Sequence, residues 1–465
     1  MSESADARSV LSRRTLLGGG AATALSAAAY RRVLGANDRV GLGFIGFGLI
    51  GKRHVLDFRD QLGARIVAVA EVHSGRRDEA VALAGGSARG YADFRALLDD
   101  HDVDAVVIST PDHWHALMTM LACAAGKDVY VEKPLSLFPR EGRWMVEIAR
   151  RHNRIVQVGT QQRSGPHYQR ARELVRGGHI GQVVAIRMWS YRNIMPGFGS
   201  PKDGDPPPGL DYDMWLGPAP KRAYNPNRAI YHFRWFWDYS GGQMTNLGQH
   251  SLDVVHWFLD ATAPTAVSSA GGRFALKDNG ETPDTQDALF EYKGWIATWS
   301  QRECSRGAEP AMGLEFCGTQ GSLKVSRKGF VVTLDPKVAA DELIPRFGGP
   351  HPVGGPATTG RREVPANTTG AVADRSADEF DQFRRHARNF LECVRSRHDP
   401  ISDLEGAHRV ATACHLANLS LRLGRKMRWD AGREMVLGDP EAEALLERPY
   451  RAPWDAERKA VLRGG

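Results

Sequence analysis

Residues 40–51 read VGLGFIGFGLIG: a short apolar run, then Gly46-x-Gly48-x-x-Gly51, then a helical pattern from Lys52 to Leu62. Strand, glycine turn and helix in that order leave few folds open. The first glycine permits a tight turn, the second lets backbone approach a diphosphate, and the third lets the helix pack on the strand. Amides at the helix start then face the phosphates, so Gly46, Phe47, Gly48, Leu49, Ile50 and Gly51 are candidate nucleotide contacts. A second strand, Arg65–Ala70, ends at Glu71, twenty residues beyond Gly51. A carboxylate there accepts both ribose hydroxyls of an adenosine and repels a 2′-phosphate, which favours NAD. Arg76 and Arg77 follow closely and keep NADP open.

The alternation of strand and helix continues. Asp104–Thr110 (DAVVIST) is a continuous apolar run of the kind that parallel strands bury on both faces. Lys127–Val131 and Ile155–Gly159 read as further strands. Open α/β sheets bind ligands beyond the carboxyl ends of their strands. Thr110, Pro111, His115, Glu132, Lys133 and Pro134 all sit at such ends, and Gln161, Gln162 and Arg163 follow the last one. Those three polar residues are candidates for ribose, nicotinamide amide or substrate hydroxyls.

With 465 residues the chain has room for two to three domains. Its formal charge of +7 is scattered, with no long Lys/Arg run after residue 40, so nucleic acid is not an expected partner. Five cysteines form no CxxC pair and no zinc-like spacing, so no metal site is expected; Cys123 and Cys414 lie in apolar helical stretches and read as core. Near the start, Arg13-Arg14 precede about fourteen weakly apolar residues and then small residues suited to cleavage near Ala29. Residues 1–29 therefore look like a twin-arginine export signal, which implies a periplasmic or otherwise exported protein. The stretch is too short and too rich in Gly and Ala for stable membrane insertion.

Taken together, GFIGFGLIG (43–51), STPDHWHA (109–116), GKDVYVEKPLS (126–136), VGTQQRS (158–164) and GGQMTNLGQHSLD (241–253) make the chain resemble the Gfo/Idh/MocA family, the glucose–fructose oxidoreductase and inositol dehydrogenase relatives. The resemblance covers about residues 38–430. It implies an α/β N-terminal Rossmann domain (38–158) plus an α+β C-terminal domain (159–430) with an open, mostly antiparallel sheet, followed by a C-terminal tail (431–465). Strand-like runs agree: Gln182–Ser190, Asp287–Tyr292, Trp295–Gln301, Leu314–Gly318 and Gly329–Leu334, with Lys293-Gly294 as a hairpin turn. The family uses the outer sheet face for oligomerisation, so a homodimer or homotetramer is expected.

Hydride transfer from a secondary alcohol needs a base for the hydroxyl proton and positive charge near the forming oxyanion. The resemblance puts Lys133 beside nicotinamide and reacting hydroxyl, and His250, on a helix expected over Thr245–Leu259, as general acid/base. His256, six residues on, faces away and reads as structural. The family commonly has Asp-x-x-x-His here, whereas this chain has Asn246-x-x-x-His250; Asn246 bonds a hydroxyl but carries no charge. The aromatic segment Tyr231–Asp238 suits stacking on sugar rings, with Trp237 as a candidate substrate contact and Arg234 as a lesser one. Residues 335–375 read as a long loop, a lid or contact arm; 377–423 as helices that buttress the sheet domain in the family; the tail as a surface wrap.

The expected substrate is a sugar or cyclic polyol. An exported enzyme has no obvious pool of free NAD, which points to tightly bound, internally recycled cofactor. Two other readings stay open: a glycoside-cleaving enzyme that oxidises C3 transiently and eliminates, and a non-catalytic sugar sensor.

Overall fold

A computed structural model describes residues 39–307, 310–335, 373–375, 378 and 380–464. The expected export signal and nearly all of the expected 335–375 loop lie outside the described residues.

The first sheet is wholly parallel. It contains β1 (Val40–Ile45), β2 (Ala64–Ala70), β3 (Arg89–Tyr91), β4 (Ala105–Ile108), β5 (Asp128–Val131) and β6 (Val156–Val158), in the order β3-β2-β1-β4-β5-β6. The order reverses between β1 and β4, so the connections from those strands leave to opposite sides and open a crevice at their carboxyl ends. Helices α1 (Leu49–Arg59), α2 (Asp112–Ala124) and α3 (Pro139–Arg151) follow β1, β4 and β5. The Rossmann domain is thus as the glycine pattern predicts.

The second sheet has ten strands: β7 (Val183–Tyr191), β8 (Ala266–Gly272), β9 (Thr285–Tyr292), β10 (Trp295–Arg302), β11 (Met312–Gly318), β12 (Gly321–Ser326), β13 (Gly329–Leu334), β14 (Ala373–Arg375), β15 (Met427–Asp430) and β16 (Met435–Val436). Its order is β14-β13-β12-β11-β7-β10-β9-β8-β15-β16, and every pairing is antiparallel except β7 with β10. Alternate residues such as Ile186, Met188, Ala297, Trp299, Leu314 and Phe316 point inward to a core shared with helices α4 (Gln249–Leu259) and, later in the chain, α6 (Leu404–Leu423).

The helices after residue 377 do more than buttress this sheet. Helix α5 (Asp381–Ser396) covers the first sheet: Phe390 meets Phe58 and Tyr130 edge to face at centroid distances of 6.2 and 5.8 Å. Helix α6 is buried nearly all round, with polar His415 and Asn418 buried and hydrogen-bonded to the Ser136 and Gly241 carbonyls. Leu404, Ala407 and Ala411 join the Rossmann core, while Val410, Ala413 and Cys414 join the second. The tail is no surface wrap either. Helix α7 (Trp454–Arg463) sets Trp454 against Trp114 of α2, with ring centroids 4.8 Å apart, and Tyr450 is buried beside it. Cys123 and Cys414 are core residues, and all five thiols are free.

Candidate functional site

Two adjoining cavities fill the crevice. The first is a corridor enclosing about 930 Å³ of free space, mouth included, along the glycine turn, Glu71, Arg76, Ser109, Thr110 and Pro111. The second domain roofs it with Tyr231, Phe233 and Arg234. The second cavity holds Lys133, Asn246 and His250, and shares Ile50, Thr110, Phe233 and Arg234 with the first.

The turn is built for close approach. Gly46 has φ +89°, and a Cβ there would lie 2.9 Å from the Ser109 carbonyl oxygen. A Cβ on Gly51 would lie 2.5 Å from the Gly46 oxygen, whereas one on Gly48 meets nothing within 4 Å and would project into the corridor. Glu71 is buried at the end of β2; its Oε2 accepts from the Phe47 amide at 2.7 Å and its Oε1 from the His73 amide at 2.9 Å. Each oxygen keeps a lone pair for a ribose hydroxyl. Ser109 Oγ and Thr110 Oγ1 are buried without partners. Open ground over Gly48, a carboxylate at the ribose position and unpartnered hydroxyls between them fit a dinucleotide.

Lys133 lies two residues beyond β5, at a cis Lys133–Pro134 bond. Its Nζ donates to the Asn246 carbonyl oxygen at 3.1 Å and to Asn246 Oδ1 at 2.9 Å. The chain of bonds runs on: Asn246 Nδ2 donates to Gln243 Oε1 at 3.0 Å, and Gln243 Nε2 to Glu303 Oε1 at 2.8 Å. Glu303 also takes the Arg192 guanidinium and the Trp235 indole N–H. A carboxylate thus orients two amides in series but stands remote from the ammonium. Burial lowers the Lys133 pKa to about 8, opposed by Glu132 and reinforced by Arg234.

Asn246 belongs to a five-residue π-helical stretch, Met244–Gly248, that precedes α4, where the sequence predicts plain helix. His250 lies in the first turn of α4, buried, with Nδ1 unpartnered. Burial pushes its imidazole well below the usual range, and the charges of Lys133 and Arg327 push further. His256 faces away and bonds the Tyr292 hydroxyl at 2.7 Å. Among the described residues no group of His, Cys, Asp or Glu could hold a metal.

Several candidates sit elsewhere than predicted. Glu132 lines the second cavity, but its Oε1 accepts from His54 at 2.8 Å and from Gln161 at 2.9 Å, so it pins α1 to the end of β5. Burial alone would raise its pKa; His54 and Lys133 hold it below the usual value. His115 lines neither cavity. Its ring clamps Pro134 O (2.7 Å) and Thr110 O (2.9 Å), joining two loops behind the site. Arg163 lines neither cavity: it is buried in an ion pair with Asp253 of α4, Nη2 to Oδ1 2.7 Å. Gln162 is buried outside both cavities, next to Tyr168. Trp237 lies outside the crevice, under the Arg422 guanidinium, because its neighbours Phe233 and Arg234 take the inward positions. Asp112, buried and accepting from the Ser240 hydroxyl, and Arg327, in the β12–β13 turn, line the second cavity unpredicted. Asp112 was legible in STPDHWHA at a strand end; Arg327 carries no local signal.

Residues 40–160 match the oxidoreductase family described by its NAD-binding Rossmann fold, and 184–273 with 368–456 match that family's C-terminal alpha/beta domain. Inositol 2-dehydrogenase 2 of Saccharopolyspora erythraea is 30% identical over 315 residues, which span 66% of this chain and 80% of that one. Inositol 2-dehydrogenase of Klebsiella pneumoniae is 36% identical over 154 residues, 33% of this chain and 45% of its own. A levoglucosan dehydrogenase structure with NADH and levoglucosan superimposes with TM-score 0.62 at 19% identity, over 83% of this chain and 98% of that one. Apo scyllo-inositol dehydrogenase from Lactobacillus casei superimposes with TM-score 0.58 at 20% identity, over 84% and 98%. With the glycine corridor, the Lys133 pocket and these matches in hand, the chain belongs to the Gfo/Idh/MocA family of NAD-binding oxidoreductases.

Proposed function

We propose that the protein interconverts a secondary hydroxyl and a ketone on a sugar or cyclic polyol. The observation that carries this reading is the convergence of Lys133 and His250 on one cavity that opens into the dinucleotide corridor. Relatives named for inositol and levoglucosan oxidation support the substrate class. NAD+, held along the Gly46–Gly51 turn and Glu71, would supply the hydride acceptor for the carbinol carbon. The buried neutral imidazole of His250 takes the hydroxyl proton. Lys133 has three N–H donors; Asn246 occupies two, and the third holds the substrate oxygen as negative charge develops. Glu71 supports NAD over NADP by excluding a 2′-phosphate.

The arginine pair at 13–14 supports export, and export supports a retained cofactor that cycles between oxidised and reduced forms within one protein. The outer face of the second sheet, with Ile296 and Val331 each more than two-fifths exposed, supports a homodimer or homotetramer.

The test begins with protein purified natively from an exporting host. Denaturation and mass measurement identify any released nucleotide. Intact protein is then titrated with aldoses, inositols and glycosides while nicotinamide absorbance is followed. Near-stoichiometric NAD that is reduced by one sugar and reoxidised by another compound is the expected result. An empty protein that accumulates NADH from added NAD would overturn the closed cycle. Aglycone release without net NADH would replace oxidation by elimination.

A further inference from the structure

The cavity beside Lys133 is markedly cationic. Lys133 enters from the end of β5, Arg234 from the segment that roofs the corridor, and Arg327 from the β12–β13 turn. None of the three has a carboxylate within ion-pair distance among the described residues, whereas Arg163, Arg143 and Arg273 are each paired with one. The two acidic groups on the cavity wall are engaged elsewhere. Glu132 accepts from His54, Gln161 and the Lys133 amide, and Asp112 is buried against the Ser240 hydroxyl. The Arg327 Nε is buried without a hydrogen-bond partner. Arg234 gives one N–H to the Tyr231 carbonyl and lies over the Phe233 ring at 4.6 Å, which holds its guanidinium plane in place.

Both guanidinium groups are half-buried and keep donors open to the cavity, and a fork of donors left empty matches a bidentate anion. A dinucleotide diphosphate would face the glycine turn of the other cavity, which Arg234 borders but Arg327 does not line, so Arg327 is left for a different anion. Ile50, Leu247 and Phe383 supply apolar surface on the same cavity for the face of a ring.

We infer that the substrate is an anionic sugar, whose carboxylate or phosphate is held by Arg327 and Arg234 while Lys133 and His250 address its reacting hydroxyl. This rests on the oxidoreductase reading above and narrows it to acidic sugars. The anion does not react: the carbinol carbon loses its hydride to NAD+, the hydroxyl proton goes to His250, and the acid group leaves unchanged.

The experiment compares three ligands on one skeleton, glucose, glucuronate and glucose 6-phosphate, with the full-length NAD-loaded protein. NADH formation gives kcat/KM, and calorimetry gives binding independently of turnover. We expect one acidic sugar to exceed glucose by at least about a hundredfold, and Arg327→Gln to reduce that ratio by about ten- to a hundredfold. Glucuronate and glucose 6-phosphate separate the carboxylate from the phosphate source. Arg234→Gln, judged by the same ratio after its melting curve is matched to the parent, guards against misfolding of the first variant. Glucose equal to both acids, or an unchanged ratio in both variants, overturns the inference. If no sugar reduces NAD yet an acid binds in a manner lost with Arg327→Gln, the anion site stands and the oxidoreductase reading falls. Absence of both turnover and acid binding overturns the anion site itself.

Discussion

Two of the three N–H donors of Lys133 are held by Asn246, an amide where the family resemblance implies an aspartate. The nearest fixed negative charge in this bond series is Glu303, two amides away. An ammonium so placed is buried without direct neutralisation, and its pKa falls to about 8. The ammonium is present below that pH and is lost above it. If it must hold the developing oxyanion, kcat/KM falls about tenfold per pH unit above about 8. Asn246→Asp puts a carboxylate in contact with Nζ, favours the charged form, and moves this alkaline limb up by about one pH unit or more. A pH–rate profile of both proteins checks it; an unmoved limb would show that Lys133 is not the titrating group. His250 is already neutral through this range, so it adds no second limb near pH 7.

Between elements, the Arg163–Asp253 pair ties the end of β6 to α4, which carries His250. Both side chains are almost wholly buried. Arg163→Ala strands a buried carboxylate and should cost about 3–5 kcal/mol in urea unfolding, while Arg163→Met with Asp253→Leu recovers most of that loss. A loss as small as that of an exposed residue would return Arg163 to the ligand site. The sequence placed Arg163 by its position after a strand, and position alone does not reveal a partner ninety residues away. Strand ends were legible because apolar runs stop there and glycines mark the turn. The π-helical stretch was not, since Thr245–Leu259 has ordinary helical periodicity. Helix α5 is legible as a helix, but its amphipathic stripe does not say which sheet it covers, and it packs on the first. Weakly apolar β8 (AVSSAGG) lacks the alternation that marks a strand.

At the scale of the molecule, the inner face of the ten-stranded sheet is covered by α4 and α6, while Val184, Ile296 and Val331 on the outer face stand exposed among the described residues. Ile296 pairs across with Ala185 and stands 43% exposed, with Leu289 and Trp189 on the same face. We expect sedimentation to report an oligomer that Ile296→Glu weakens by placing a charge in the contact. A monomeric parent would discount this face as an interface. Both domains and the crevice between them follow from patterns in the chain, whereas Arg327, which closes the cavity from the far sheet, depends on a long-range approach that no local pattern encodes.

Helix α6 gives one face to each of the two cores, so both walls of the crevice hang on one beam. Opening the crevice as a hinge would pull Ala411 or Ala413 out of a packed neighbour. The gap that a hydride must cross is then set when the chain folds, not each time a substrate arrives. Such a site selects by what its walls present, and it loses its gauge only when the beam itself melts.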